Sequence, residues 1–190
     1  MGKRIYFITG GFGFLGQYIV KAIYDNDTQA DIRVLIRTRR KTLIPIQALD
    51  RVQLIEGDMT RIAEFETALE GVETIIHNAA LVSFKPSDAE AIHQANTLGT
   101  RHLLQAAVAH GCRNFILISS ISAIGACQPS KPSDETNLPT EEHLQRDPYG
   151  RSKYAGECDL RAHAAHLRGI ILNPSVIIGP GSLRIEQLLR

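Results

Sequence analysis

Apolar and polar positions follow two rhythms along this chain, and the rhythms alternate. Arg4 to Thr9 is a short apolar run with strand character. From Phe14 to Tyr24 the apolar positions Leu15, Ile19, Val20 and Ile23 recur at helical spacing. Ile32 to Ile36 and Val52 to Glu56 read as the second and third strands, and Ile62 to Leu69 as a short helix. Thr74 to His77 is a fourth strand, Ala89 to His110 a long helix, and Phe115 to Ile118 a fifth strand almost without polar interruption. Tyr149 to His166 is helical, and Ile170 to Leu172 is a sixth strand. Short apolar strands separated by helices predict βαβ units and a parallel sheet buried on both faces. With right-handed crossovers this is an α/β, doubly wound sheet, read as one domain over residues 1–190. A ligand site is then expected at the carboxyl ends of the strands, where the strand order reverses.

The longest connection runs from Gly125 to Pro148 and holds Gln128-Pro129-Ser130-Lys131-Pro132-Ser133-Asp134-Glu135. A loop of this length inside a domain is functional or mobile. It leads straight into Tyr149, so it either covers a substrate or is a solvated surface loop.

Composition narrows the choices. With 190 residues, 44% of them hydrophobic, the chain can bury a core of its own. A net charge of +1 gives no ground for a nucleic-acid partner or an anionic membrane. No apolar run approaches the ~18 residues of a membrane helix, and Met1-Gly2-Lys3-Arg4 leads into a strand rather than a signal peptide. Cys112, Cys127 and Cys158 are odd in number and far apart, without zinc-type spacing. The expectation is a reduced, cytoplasmic setting, with no metal and no disulfide framework.

The chemistry begins at Thr9-Gly10-Gly11-Phe12-Gly13-Phe14-Leu15-Gly16, between the first strand and the first helix. Gly10 permits a tight turn, Gly13 lets a pyrophosphate approach the backbone, and Gly16 lets helix and strand pack closely. The helix start adds free N–H groups and partial positive charge. The second strand ends at Arg37, 21 positions after Gly16, where a carboxylate would bind the adenosine ribose of NAD. Arg37-Thr38-Arg39-Arg40-Lys41 stands there instead. A guanidinium pairs well with a 2′-phosphate, so NADP(H) is expected over NAD(H); the bland reading is a solvated basic stretch. Asp58, in Glu56-Gly57-Asp58-Met59, accepts from an adenine amino group or caps the helix that follows. In His77-Asn78-Ala79-Ala80 the small residues let the backbone run close beneath a cofactor.

Tyr149 and Lys153 are four residues apart on one helix face. A free tyrosine titrates near ~10, and an adjacent ammonium favours its phenolate, the condition for acid–base work. Alone, the pair could equally be an exposed-helix coincidence. Ser119 and Ser120 close the fifth strand, where a hydroxyl can hold a carbonyl beside Tyr149; Ser120 is the first choice and Ser122 the fallback. A serine satisfying backbone groups at a strand end is the competing reading. Asn96 is a polar residue inside the long helix, holding a water or carbonyl near Lys153 or serving a purely structural bond.

These elements together, with Asn96-x-x-Gly99-Thr100 and Asn173-Pro174-Ser175…Gly179-Pro180, resemble the extended short-chain dehydrogenases/reductases of the NAD-dependent epimerase/dehydratase superfamily. The resemblance implies a Rossmann-type fold and catalysis by Ser120, Tyr149 and Lys153. It implies cofactor contacts from Gly10, Gly13, Phe14, Leu15, Gly16, Arg37, Asp58, Met59, Ala79, Ala80, Lys153, Asn173 and Pro174. Ser83, Ser120, Ser122 and Tyr149 are the expected substrate contacts. Asn173-Pro174 in place of Arg-Pro, and Arg37 in place of an acid, are similar to the dihydroflavonol-reductase-like and hydroxysteroid-dehydrogenase-like branch, which interconverts ketones and secondary alcohols. Nucleotide-sugar epimerisation with tightly held NAD is the alternative enzyme, and a non-catalytic dinucleotide-binding protein the alternative class. Extended members carry a further substrate-binding portion, so the chain, stopping at Arg190, is expected to be a fragment. Family members often dimerise through helices corresponding to Ala89–His110 and Tyr149–His166.

Overall fold

The computed structural model describes residues 4–39, 41–83, 85–125 and 132–182. Its strands are β1 (Arg4–Thr9), β2 (Ala30–Ile36), β3 (Val52–Glu56), β4 (Thr74–His77), β5 (Asn114–Ile118) and β6 (Arg168–Leu172). They form one six-stranded sheet in the order β3-β2-β1-β4-β5-β6, every pairing parallel. This is the Rossmann-like doubly wound sheet that the sequence predicts. The order reverses between β1 and β4, so the connections leaving these two strands diverge to opposite faces and open a crevice.

Side-chain parity explains why the strands read as unbroken apolar runs. Phe7 and Ile75 point into one core, and their neighbours Ile8 and Ile76 into the other. The first core adds Phe115 and Leu117 of β5, Leu103 and Leu104, and Leu160; Phe7 stacks on Phe65 with ring centroids 5.8 Å apart. The second core adds Ile32, Val34, Val20 and Ile46. Burial on both faces fails at the margin. β6 pairs with β5 alone among the described residues. Its Ile171 packs on the first core, but Ile170 and Leu172 are 44% and 47% exposed.

The helices depart from the periodicity in instructive ways. α1 (Phe14–Asn26) follows β1 as expected. The predicted helix over Ile62–Leu69 is two 3-10 turns, Ile62–Glu64 and Glu66–Leu69. Phe65 leaves helical backbone between them at φ −137°, which delivers its ring to the core. The predicted long helix is a rod made of α2 (Ala89–Ile92), a π-helical segment (His93–Leu98) and α3 (Gly99–Ala109). It ends before Gly111, which takes φ +69°. The Gly125–Pro148 loop is not structureless. It contains α4 (Glu141–Arg146), where the Thr140 hydroxyl caps by accepting from His143 N at 3.2 Å. Gln128 to Lys131 lie outside the described residues. α5 (Pro148–Ala162) stops before the expected His166, because His163 leaves helical backbone. No helix among the described residues is long and apolar enough to cross a membrane, and none of their His, Cys, Asp and Glu side chains group to hold a metal ion.

Gly16 sets how closely α1 approaches β1. A Cβ there would lie 2.1 Å from Gly10 O and 2.7 Å from Gly11 Cα. Both are backbone atoms, which cannot rotate away. Gly16→Ala should therefore destabilise the fold by ~2–3 kcal/mol or more. Urea unfolding should show this as a lowered midpoint with an unchanged slope; an unchanged midpoint would mean the helix can lift off the strand freely.

Candidate functional site

The turn leaving β1 passes against the turn leaving β4. Gly10 takes φ +69°, and a Cβ on it would come within 2.8 Å of Ala79 Cα. Only glycine meets both demands. α1 then starts at Gly13 with no side-chain cap and no acid in its first turn. Its opening N–H groups and the positive end of its dipole are left to an anion from outside.

That helix start forms one wall of a groove of about 1040 Å³. Gly10, Gly13, Phe14 and Leu15 line it, with Arg37 and Thr38 beyond the tip of β2. Asp58 and Met59 follow β3, and Ala79 and Ala80 follow β4. Gly16 is buried behind the wall. The groove continues past Leu81 to Ala95 and Asn96 on the π-helical segment. An elongated crevice with an uncapped helix start at its middle and an arginine at one end fits a dinucleotide.

The tips of β2 and β3 are charged. Arg39 Nε meets Glu56 Oε1 at 2.9 Å, both side chains being mostly exposed. Arg37 is exposed beside the groove. Asp58 Oδ1 accepts from Thr60 N at 2.9 Å and Thr60 Oγ1 at 2.8 Å. Those two donors, the backbone N–H first, hold the Asp58 carboxyl below its ordinary range, and the charges of Arg37 and Arg61 add to the effect. Asp58 thus closes its own turn with Thr60, while the 3-10 turn that follows has Arg61 at its start and no side-chain cap.

Beneath the groove a chain of buried groups joins three elements. Thr100 Oγ1 donates to Asn96 O at 2.5 Å, so its oxygen accepts from His77 Nε2, 2.8 Å away. His77 Nδ1 must then accept from Thr9 Oγ1 at 2.7 Å, and Thr9 Oγ1 accepts from Ala79 N at 3.0 Å. This order assigns the proton of His77 to Nε2. Burial, reinforced by the nearby charge of Lys153, pushes the His77 pKa from 6.5 to about 3. The imidazole is a neutral strut between β1, β4 and α3.

Ser120, Ser122, Tyr149 and Lys153 are not among the residues that line the groove; they stand on and beside α5, past the groove's Asn96 end. Pro148 occupies the first turn of α5. Tyr149, half-buried, accepts at its carbonyl from Ser152 Oγ at 2.7 Å. Lys153 follows one turn on and is only 4% exposed. Burial lowers its pKa from 10.5 to about 8, opposed by the carboxylate of Glu157. The 3-10 turn Ile121–Ala123 packs on this helix start: a Cβ on Gly150 would lie 2.5 Å from Ser122 O. Ser120 Oγ accepts from Ser122 N at 3.1 Å, capping that turn without spending its hydroxyl proton. Asn96 connects the two ends. Its Oδ1 accepts from Leu81 N at 2.7 Å, and its Nδ2 donates to Leu81 O at 2.9 Å and to Ser152 Oγ at 3.0 Å.

Three more of the expected contact residues lie outside the groove lining and are bonded within the protein. Ser83 Oγ donates to Asp88 Oδ2 at 2.6 Å and closes a local turn. Asn173 Nδ2 donates to Ser120 O at 3.0 Å and to Glu157 Oε1 at 2.7 Å, facing the protein rather than the groove. Pro174 O accepts from Ile121 N at 3.2 Å. Sequence reasoning missed Glu157, 3% exposed and hydrogen-bonded by Ser119 Oγ at 2.5 Å and Arg161 at 2.9 Å. Its signal was present: an acid four positions after Lys153, on a helix face shared with core residue Leu160. His77 was read only as a strand end, because nothing local marks the threonines 68 positions before and 23 after it as its partners.

Comparison with known proteins agrees with this fold. The model of the NAD dependent epimerase/dehydratase family matches residues 6–189. The chain is 32% identical to human 3 beta-hydroxysteroid dehydrogenase type 7, covering 99% of this chain and 53% of that protein. It is 34% identical to sterol demethylase protein B of Methylococcus capsulatus, covering 93% and 52%. MoeE5, solved with UDP-glucuronic acid and NAD, superposes with a TM-score of 0.80 at 25% identity, covering 97% of this chain and 60% of that one. The chain thus spans about half the length of the curated relatives it matches.

The neutral His77 strut makes stability depend on pH. Above about 6.5 neither state takes the proton. Below that, the unfolded chain binds a proton that the folded chain refuses down to about 3. Stability should fall as pH drops through this window, with a slope from this group approaching ~1.4 kcal/mol per pH unit. Urea unfolding at pH 7 and pH 5 checks it: the drop should be smaller in His77→Gln than in the parent, and equal drops would contradict the strut.

Proposed function

Because the chain belongs to the NAD dependent epimerase/dehydratase family, we propose that it is the cofactor-binding and catalytic part of an oxidoreductase. In this reading it interconverts a ketone or aldehyde and an alcohol, using NADP(H) in preference to NAD(H). The observation that carries the reading is continuity. The groove that begins at Arg37 ends at Asn96, and Asn96 bonds Ser152, the residue before Lys153. A dinucleotide laid along it would bring its far end toward α5.

The residues divide the work. Gly10 and Gly13 give the phosphates room, and the N–H groups opening α1, at Phe14 and Leu15, bind them. Arg37 pairs with a 2′-phosphate, leaving Arg39 to Glu56. Met59, Ala79 and Ala80 flank the adenosine half, and Asp58 orders the β3 turn beside it. When bound, the nicotinamide supplies or accepts a hydride. Ser120 donates its hydroxyl to the substrate oxygen, with Ser122 on the same turn. Tyr149 gives or takes the proton at that oxygen. Lys153, a buried cation one turn away, favours the phenolate and holds the ribose hydroxyls. Ser83, bonded to Asp88, shapes the substrate side rather than touching the reacting atoms. A dimer through α3 and α5 belongs to the same proposal.

Tyr149→Phe should lower turnover of a responsive carbonyl substrate by about 10²–10⁴-fold with NADPH affinity unchanged; near-normal turnover would remove Tyr149 from the reaction. Arg37→Ala should weaken NADPH binding by about tenfold, or ~1.4 kcal/mol, and leave NADH binding nearly untouched. Equal losses for both, or tighter NADH binding by the parent, would favour the NAD-holding nucleotide-sugar reading suggested by the likeness to MoeE5.

A further inference from the structure

Glu157 is a buried carboxylate that the reaction above does not use. It is 3% exposed, yet it accepts three side-chain hydrogen bonds. Ser119 Oγ and Asn173 Nδ2 reach Oε1 at 2.5 and 2.7 Å, and Arg161 reaches Oε2 at 2.9 Å. Ser119 follows β5 directly and precedes Ser120. Asn173 follows β6 and also donates to Ser120 O at 3.0 Å. One carboxylate therefore closes a loop through both residues that hold the Ser120 backbone.

The same carboxylate lies one helical turn beyond Lys153, itself buried. Burying an ammonium is costly unless an opposite charge is near. The titratable groups around Lys153 include Tyr149 one turn before it and Glu157 one turn after it on the same helix, Glu157 also pairing with Arg161 at 2.9 Å, and His77 at the tip of β4. His77 is neutral, so Glu157 is the carboxylate that favours the charged ammonium. Asn96, Ser152 and the Ile121–Ala123 turn pack nearby without charge.

We propose that Glu157 is the positioning residue of this site: its carboxylate fixes the tips of β5 and β6, and with them Ser120, against the helix face that carries Lys153. The inference rests on the Ser120–Tyr149–Lys153 reading for its importance, but its geometry stands without it. Glu157 touches neither substrate nor cofactor in this account, so it acts only through Ser119, Asn173 and Lys153.

The test is NMR of the 190-residue chain, needing neither cofactor nor substrate. In Glu157→Gln the titration midpoint of the Lys153 side chain should fall by about one pH unit, tenfold in its proton-dissociation constant. Amide exchange at Ser119 and Ile121, whose N–H groups bond Leu172 O and Pro174 O across the two tips, should quicken at least threefold. Glu157→Asp should keep most of the lysine midpoint but not the slow exchange. A folded Glu157→Gln chain with the parental Lys153 midpoint overturns the proposal. Should that variant fail to fold, Ser119→Ala decides: exchange at Ile121 should quicken while the Lys153 midpoint does not fall, and unchanged exchange overturns the proposal. Failure of the redox reading would appear elsewhere, as full turnover in Tyr149→Phe.

Discussion

The turns leaving β1 and β4 must pass within backbone contact of each other. Gly10 crosses Ala79 at a distance no side chain survives, and the Thr9–His77–Thr100 chain ties the strands below. Everything at the top of the sheet is referenced to that crossing. It fixes where α1 begins, and so where uncapped N–H groups face the groove. It also fixes the path of Asn78 to Leu81, which Asn96 then holds from the other side. If the two turns separated, the start of α1 and the buried lysine of α5 would lose their common frame.

Buried polar groups, rather than extra apolar area, align the second half of the site. Apolar packing is tolerant of small shifts, whereas a directed hydrogen bond in a low-dielectric interior is not. His77, Asn96 and Glu157 each join segments distant in sequence, and each is almost fully buried. The π-helical segment at His93–Leu98 serves the same end, since Asn96 and Thr97 on it are both buried at this junction. A lysine kept in such surroundings is an expensive group, compensated by one carboxylate.

The strands were legible in the sequence because parity within a two-sided core leaves long apolar runs, and the glycine turn because three glycines at a strand–helix junction have few other uses. Boundaries were less legible. Phe65 broke an expected helix to reach Phe7, a partner 58 positions away in sequence. The spacing of Tyr149 and Lys153 placed them one turn apart on a helix, as they are on α5, and the strand end placed Ser120 just after β5. Asn173 was expected at the cofactor, and its amide is seen to bond Glu157 and Ser120. Its role depends on which acid the fold brings to β6, and local sequence does not record that. Ile170 and Leu172 look like core residues in the sequence, but only the sheet order reveals that their strand pairs on one side alone among the described residues.

The account stands on one continuous site running from the uncapped start of α1 to the buried lysine of α5. Chemical-shift mapping of the ¹⁵N-labelled chain with NADPH tests this directly. The account predicts saturable shifts at Phe14 and Leu15 together with shifts at Ser120 and Lys153, all with one dissociation constant. Shifts confined to the glycine turn, or none at either end, would contradict it.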